Sequence, residues 1–338
     1  MCKLSIIIPC YRIAPWLRQC LDSVLLPDRE DYEILPVNDG SPDNCAAIAA
    51  EYAQRFPGLV RPLDQENRGL GAARNTGLEA ARGEYVLFLD GDDLLAPGAL
   101  AEMLSFPKED ADVLVFDYDT VNEQGQRLSR IRGTQREGTF SLAQFPSLLL
   151  DPPNAWNKLW RRTLFQRSGI RFPARLWYED LATTPSLYLR AERIRAVRRP
   201  WLCYRQRGAS ILHSRDLSRS AEIIPALDTA LDDFYAQGQF GTFGEALEAM
   251  AVYHQLLTAT ARVNRVDPRA PLQRLLLENL ESKFPHWREN PLLRSLSGRQ
   301  RLLLQLIQRR QYALLHGVIA FHDGAKTVSF SLGKVRRL

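Results

Sequence analysis

The sequence has few cysteines and no long apolar run. Its five cysteines are scattered, their number is odd and none forms a Cys-x-x-Cys pair, which excludes a knuckle-type zinc site and disfavours a secreted disulfide scaffold. No stretch of about 18 apolar residues occurs, so a transmembrane helix is not expected. Pro9 ends the apolar N-terminal run too early for the core of a signal peptide. These absences favour a protein of the reducing cytosol.

The overall composition is that of an ordinary globular protein. Hydrophobic residues make up 45% of the 338 residues and charged residues 25%, which argues against disorder and fibrous repeats. At about 150 residues per domain, roughly two units are expected. The net charge is only +5, but residues 286–338 carry ten Lys and Arg against two acidic residues. Such an asymmetry indicates a partner for the C-terminal end.

The first third of the chain alternates between two patterns. Short apolar runs of strand length are separated by segments with helical spacing, and the runs lie at 4–8, 32–37, 59–63 and 85–89. A further strand is predicted at 112–118. This alternation predicts right-handed βαβ units and therefore an α/β fold with a parallel sheet.

The pattern changes further along the chain. We expect a hairpin or loop over 119–140, with a turn at 122–125, and a strand pair near 194–204. From Leu217 onward the apolar residues have helical spacing. The predicted organisation is an α/β half (1–118), a mixed half (119–215) and a helical C-terminal domain (216–338) with a basic tail.

Three carboxylates directly follow the fourth predicted strand, at Asp90, Asp92 and Asp93. In an open parallel sheet, ligands bind beyond the carboxyl ends of the strands. Carboxylates this close repel one another unless a cation lies between them, and oxygen ligands suit Mg²⁺ or Mn²⁺. The alternative interpretation is that Asp92 or Asp93 caps the next helix or is simply solvated.

The end of the second predicted strand and the segment before the third helix carry further polar groups. Asp39 could accept a hydrogen bond from a nucleobase stacked on Tyr11, or could form an Asx turn. Arg68 and Arg74 are cations for a diphosphate. Because Arg74 stands where a dinucleotide fingerprint needs its third glycine, a Rossmann dehydrogenase is rejected.

The second half of the chain contributes an acidic pair, two tryptophans and a histidine. Glu179 and Asp180 follow two aromatic residues and precede an apolar helix, so they suit either a general base or an N-cap. Trp156 and Trp160 could stack on sugar rings or belong to the core. His213 is a candidate third metal ligand, although a lone histidine is more often structural.

Seven segments taken together resemble family 2 inverting glycosyltransferases of the GT-A fold. They occur in the family's order and span residues 4–214, about two-thirds of the chain; they are SIIIPCYR, VNDGSPD, ENRGLGAARNTGL, YVLFLDGDD, WNKLWRR, YEDL and CYRQRGASILHS. The resemblance implies a Rossmann-like, mainly parallel sheet flanked by helices. Residues 1–118 would bind the nucleotide sugar, and 119–215 would be the acceptor-side half of the same domain.

The resemblance also assigns roles to residues on the nucleotide side. Those expected to contact the base or ribose are Pro9, Tyr11, Asp39 and Asn67, with Arg74 nearby. Two positions depart from the family pattern: Arg12 replaces an Asn, and Asn38 replaces an acid. These departures concern details of nucleotide contact, since Asp39 itself is kept.

For the chemistry, the resemblance implies a metal and a base. Asp90, Gly91 and Asp92 would form the Asp-x-Asp motif, with Asp92 the direct ligand of Mn²⁺ or Mg²⁺. Asp180 would be the catalytic base, with Glu179 beside it. The expected reaction is metal-assisted single displacement, with inversion, from a nucleotide-diphosphate sugar (a UDP-sugar by the resemblance) to a hydroxyl of a glycan or lipid-linked acceptor.

Two other function classes agree less well with the sequence. A nucleotidyltransferase would need a Gly-rich, basic loop after the first strand, which the sequence lacks. A nucleic-acid-binding protein, suggested by the basic pI, fits poorly with the acidic cluster, so no nucleic-acid partner is expected.

The C-terminal segment 301–322 leaves its role open. It is apolar but interrupted by Arg309 and Arg310, and a basic tail follows, so it could lie on an anionic inner membrane surface. It could equally be a core helix or a dimer interface. The expected location is cytoplasmic, with peripheral membrane association and homo-oligomerisation left open.

Overall fold

The computed structural model describes residues 2–26, 28–108, 110–207 and 216–321. Within them, one mixed sheet is flanked by helices, which confirms the predicted fold class. Its strands are β1 (Leu4–Cys10), β2 (Tyr32–Asp39), β3 (Leu63–Gln65), β4 (Tyr85–Phe88), β5 (Leu94–Leu95), β6 (Val113–Val121), β7 (Arg127–Ile131), β8 (Gly138–Phe140), β9 (Lys158–Arg161) and β10 (Ile194–Arg205).

The α-helices lie between the strands in the first half and follow one another after β10. They are α1 (Ala14–Ser23), α2 (Cys45–Arg55), α3 (Leu70–Ala80), α4 (Ala99–Ser105), α5 (Arg162–Ser168), α6 (Glu179–Arg190), α7 (Ile223–Ala236), α8 (Phe240–Ala251), α9 (Ala261–Val266), α10 (Leu272–Lys283) and α11 (Gly298–Gln308). A π-helical stretch, Val252–Thr260, joins α8 to α9, and residues 312–321 are again helical.

The sheet is parallel where the sequence alternates between strand and helix. Its order is β3-β2-β1-β4-β9-β6-β10-β5, and β1, β2, β3 and β4 pair in parallel. The strands predicted near 4–8, 32–37, 85–89 and 112–118 are confirmed. The third prediction, 59–63, is displaced: Val60 makes only an isolated bridge to Ile34, and β3 begins at Leu63.

Beyond β4 the sheet becomes mixed. β9 is antiparallel to both β4 and β6, while β6 and β10 are parallel. The strand pair predicted near 194–204 is wrong, since these residues form the single strand β10. Its register shifts on both sides of Pro200, which has no N–H to donate to the ladder. The predicted hairpin at 119–140 is confirmed, with β7 antiparallel to β6.

The first strands are buried on both faces, as their continuous apolar runs predict. Alternate residues enter two different hydrophobic clusters. The cluster on the side of α3, α5 and α6 includes Ile7, Leu35, Val37, Val86 and Phe88. The cluster on the side of α1, α2 and α4 includes Ile6, Ile8, Ile34, Tyr85 and Leu87.

The C-terminal helices extend the first of these clusters, from Ile7 in β1 to Ile319. Many of their apolar side chains are buried, among them Leu227 and Met250, whereas Leu275 is half exposed. α11 begins with a capping box between Ser297 and Gln300. The domain boundaries at 118 and 215 stay a prediction.

Two further predictions concern membranes and cysteines. Among the described residues, no helix is long and apolar enough to cross a bilayer. All five cysteines are described, and all are free thiols. The basic tail residues Lys334, Arg336 and Arg337 lie outside the described residues, so peripheral membrane association stays a prediction.

Candidate active site

The predicted nucleotide-side residues gather at one edge of the sheet. Since β1, β2 and β4 are adjacent and parallel, their carboxyl ends meet there. Pro9 lies near the end of β1, Asp39 ends β2, and Asp90 follows β4 by two residues. Sequence spacing alone could not show that these ends are neighbours.

Asp39 is buried and is fully engaged with the segment that leads into α3. Its Oδ1 accepts hydrogen bonds from Gln65 Nε2 (2.6 Å) and from the Arg68 amide (2.8 Å), and its Oδ2 accepts one from the Gly69 amide (2.9 Å). Gly69 has φ +89°, a conformation that glycine adopts without strain. Asp39 therefore shapes this loop, a role that the sequence did not reveal.

Asn67 and Tyr11 lie beside Asp39. Asn67 Nδ2 donates to the Asp39 carbonyl (3.0 Å), and Gly40 has φ +59° with no room for a Cβ, which would lie 2.8 Å from the Asn67 amide nitrogen. Tyr11 is 41% exposed. The Arg12 guanidinium lies 5.3 Å from the centre of its ring, so the residue that departs from the family pattern packs on the predicted stacking surface.

Arg74 links the two halves of the site. Its side chain is 1% exposed. Nη2 donates to Asp90 Oδ1 (3.1 Å), while Nη1 donates to Glu179 Oε1 (2.8 Å) and Asp180 Oδ1 (2.5 Å). The structure thus brings Asp90, at the end of the fourth parallel strand, into one cluster with the acidic pair that begins α6.

Burial controls the protonation of the acidic pair. It raises the pKa of Glu179 to about 7, with a further increase from the negative charge of Asp180. It also raises the pKa of Asp180, against which Arg74 and the Ala155 amide favour the carboxylate. A carboxylate with a raised pKa is a stronger base, and such a group suits proton abstraction near neutral pH.

The backbone before β9 fixes the second oxygen of Asp180. The Ala155 amide donates to Asp180 Oδ2 (2.9 Å), and the indole of Trp160 donates to the Ala155 carbonyl (3.0 Å). Trp160 is fully buried, and Trp156, also buried, stacks on Tyr204 with a centroid distance of 5.2 Å. Both tryptophans thus lie in the interior, which favours the core interpretation for them.

The C-terminal helices hold the segment that enters α6. The Trp177 amide donates to Glu222 Oε2 (2.6 Å), and the Arg262 guanidinium lies 4.6 Å from the centre of the Trp177 ring. Tyr178 has φ +66°, a left-handed conformation that is strained for a tyrosine. No sequence pattern predicted this anchoring.

The three carboxylates after β4 have different surroundings. Asp92 forms an ion pair with Arg207, and burial together with the charge of Asp90 raises its pKa. Asp93 is buried, and its Oδ1 accepts the Arg205 amide (2.7 Å) of β10, so it has a structural role. A Cβ on Gly91 would lie 2.2 Å from Ile13 Cδ1 and 3.2 Å from the Pro9 carbonyl oxygen, so a larger residue between the acids would have to displace the Ile13 side chain.

The carboxylate oxygens of Asp90 and Asp92 are suitable ligands for a hard divalent cation that also binds the substrate. Among the described residues, no group of three His, Cys, Asp or Glu side chains is placed to hold a metal, and His213 lies outside them. Mg²⁺ however commonly binds through one or two carboxylates together with water and substrate phosphates. Asp90 and Asp92 provide such oxygens, and the cation now paired with Asp92 is Arg207.

Comparisons with known proteins agree with this geometry. The family model described as glycosyl transferase family 2 matches residues 5–169. A relative named uncharacterized glycosyltransferase EpsJ, from Bacillus subtilis (strain 168), is 31% identical over 285 residues, which are 78% of this chain and 80% of its own length.

Solved structures share the fold over nearly the whole chain. S. aureus TarS 1-349 has a TM-score of 0.68 at 20% identity, covering 96% of this chain and 92% of its own. TarS 1-349 has also been solved in complex with UDP and with UDP-GlcNAc. The mannosyltransferase PcManGT from Pyrobaculum calidifontis, in complex with GDP-Man and Mn²⁺, has a TM-score of 0.53 at 19% identity, covering 95% of this chain and 87% of its own.

Proposed function

This chain belongs to glycosyl transferase family 2, and from that premise we propose that it transfers a sugar, with inversion, from a nucleotide-diphosphate sugar to a hydroxyl of a glycan or lipid-linked acceptor. Its membership confirms the predicted enzyme class. The observation that carries the finer proposal is the position of Arg74, which contacts Asp90 on one side and Asp180 on the other. A donor-side carboxylate and a candidate base thus share one buried arginine.

On the donor side, the proposal assigns the nucleotide to the edge formed by β1, β2 and the loop before α3. The residues proposed to bind the nucleotide sugar are Pro9, Tyr11, Asp39, Asn67, Arg74, Asp90 and Gly91. A uridine nucleotide is supported by the complexes of TarS with UDP and UDP-GlcNAc. Asp39 already accepts three hydrogen bonds from the protein. It would therefore hold the loop before α3 in place and also contact the base.

On the acceptor side, Asp180 is proposed to act as the general base. The acceptor oxygen forms a bond to the anomeric carbon while the bond to the diphosphate oxygen breaks, and the hydroxyl proton passes to the Asp180 carboxylate. A single displacement of this kind inverts the anomeric centre. Glu179 and Asp180 both form ion pairs with Arg74. The negative charge of Glu179 is proposed to raise the basicity of Asp180.

A divalent cation, Mn²⁺ or Mg²⁺, is proposed to be held by Asp92, with Asp90 beside it. When bound, it would neutralise the negative charge of the leaving diphosphate. The solved complex of PcManGT with GDP-Man and Mn²⁺ supports a metal in this fold. Arg207 pairs with Oδ2 of Asp92, so the cation would compete with it at that oxygen or bind at the other one.

Chelation tests the metal. We expect EDTA to abolish sugar transfer, and an excess of Mn²⁺ or Mg²⁺ to restore it, because the leaving diphosphate would otherwise lack a cation. The measurement is nucleoside diphosphate release from a nucleotide sugar, with EDTA saturated by Mn²⁺ beforehand as the control. Full turnover by metal-free protein in EDTA would contradict the role of Asp92.

A panel of nucleotide sugars tests the donor. A ligand that binds only the folded state stabilises it by about 2.7 kcal/mol at a concentration of 100 Kd, so the cognate donor should raise Tm by a few degrees in the presence of Mn²⁺. We expect UDP-sugars to produce this shift and GDP-sugars to produce none. A shift with GDP-sugars alone would refute the uridine assignment and leave the enzyme class intact.

A further inference from the structure

Lys158, the first residue of β9, is a fully buried lysine. Its side chain is 0% exposed, and within the described part of the chain it forms no ion pair. Burial lowers its pKa to about 7, so the ammonium prevails below that pH. Removing an ammonium group from water costs several kcal/mol of desolvation free energy. A lysine buried in this way is therefore expected to have a specific role.

The hydrogen bonds of Lys158 point to that role. Nζ donates to the Asn154 carbonyl and to Asn157 Oδ1 (2.8 Å). The Asn154 carbonyl and the Ala155 amide belong to the same peptide group, and that amide donates to Asp180 Oδ2. The ammonium, the peptide group and the Asp180 carboxylate therefore form one continuous chain of hydrogen bonds.

This arrangement has an electrostatic consequence. A cation at the carbonyl oxygen of a peptide group polarises it and strengthens the hydrogen bond that its N–H donates, since hydrogen bonds in a chain reinforce one another. The effect favours the ionised form of Asp180, because the carboxylate accepts this hydrogen bond better than the protonated acid does. Burial preserves the effect, because water does not screen it.

We propose that Lys158 is a positioning residue for Asp180, which it holds in place and in its ionised form through the peptide group between Asn154 and Ala155. The inference rests on the proposed role of Asp180 as the base. Three other charged groups act on the same carboxylate: Arg74 favours its ionised form, while Glu179 and Asp90 oppose it. Asp151 is the acidic group that acts on Lys158 besides Asp180.

The test is a direct titration of Asp180 in the free protein, labelled with ¹³C at the aspartate carboxyls. The resonance missing from Asp180→Asn identifies Asp180. In Lys158→Met, which removes the charge and keeps an unbranched side chain one atom shorter, we expect the midpoint of that resonance to rise by about one pH unit or more. Lys158→Arg, which keeps the cation, should restore the wild-type midpoint.

Lys108→Met is the matched control. Lys108 Nζ also donates to backbone carbonyls, those of Met103 and Phe106, but its charged neighbours are Glu84, Lys3 and Asp31, so its loss should leave Asp180 unchanged. Lys158→Met removes a buried ammonium but leaves the Asn154 carbonyl and Asn157 Oδ1 without their donor. Should this variant not fold, Lys158→Gln provides the same uncharged comparison.

An Asp180 midpoint that is the same in wild type and in the folded uncharged variant overturns the inference. That outcome differs from failure of the proposed function, which would show as sugar transfer by Asp180→Asn. The titration needs no substrate, so a shifted midpoint supports the Lys158 coupling whichever sugar is transferred.

Discussion

Asp180→Asn should lose about 10²–10⁴-fold in kcat, the contribution typical of a general base, while nucleotide-sugar binding is retained. The amide has nearly the shape of the carboxylate but cannot take the proton of the acceptor hydroxyl. Its oxygen can still accept a hydrogen bond from Arg74 or from the Ala155 amide, both of which contact Asp180. Since the donor would bind at the strand ends, its affinity should change little.

The measurement combines initial rates of sugar transfer with a thermal shift by the donor. Asp232→Asn is the control, because Asp232 is exposed on α7 and undergoes the same chemical change away from the site. We expect wild-type rates for the control. Transfer by Asp180→Asn at near wild-type rate would remove Asp180 from the mechanism and leave Glu179 as the remaining acid of the pair.

Arg74→Met should destabilise the protein by about 3–5 kcal/mol, the range measured when one partner of a buried ion pair is removed. Three carboxylates, those of Asp90, Glu179 and Asp180, would lose their shared cation. The pKa values of Glu179 and Asp180 would rise, because Arg74 favours their ionised forms. The loss of stability should therefore be larger at pH 8 than at pH 5, where the variant carboxyls can take up protons.

Denaturant unfolding at the two pH values measures this effect. Arg18→Met is the control, since Arg18 pairs with Glu51 at the surface and exposed pairs contribute little to stability. Sugar transfer by Arg74→Met should also fall sharply, as both sides of the site depend on this residue. A loss of stability no greater than that of Arg18→Met would show that the three acids do not need Arg74.

Much of the first half of the fold could be predicted from local pattern. The strands near 4–8, 32–37 and 85–89 are apolar on both faces, and helical spacing separates them, so both their type and their parallel pairing follow from the sequence. The errors lie where pairing with another strand determines the bounds of a strand. β3 begins later than its apolar run because Leu63–Gln65 forms the continuous ladder with β2, whereas Val60 makes only an isolated bridge to it. The predicted pair near 194–204 is one strand, because β6 offers β10 a partner along its whole length.

The sequence predicted which residues belong to the candidate site, but not the contacts between them. Motifs identified Asp39, Asp90, Asp92 and Asp180, since such residues stand at the ends of strands or begin a helix. They gave no sign that Asp39 holds the loop before α3, or that Asp93 pairs with the backbone of β10. These roles depend on contacts between segments that are far apart in the chain.

The sequence by itself determined the alternation of strands and helices, the buried parallel strands and the acidic residues that follow them, because these features depend on periodicity and on neighbours along the chain. Only the tertiary structure decided that Arg74 joins Asp90 to Asp180, which lies 106 residues later, and that Lys158 reaches Asp180 through a peptide group. The physical reason is that the strength of a buried charge interaction depends on distance and desolvation in space, and neither quantity can be read from spacing along the chain.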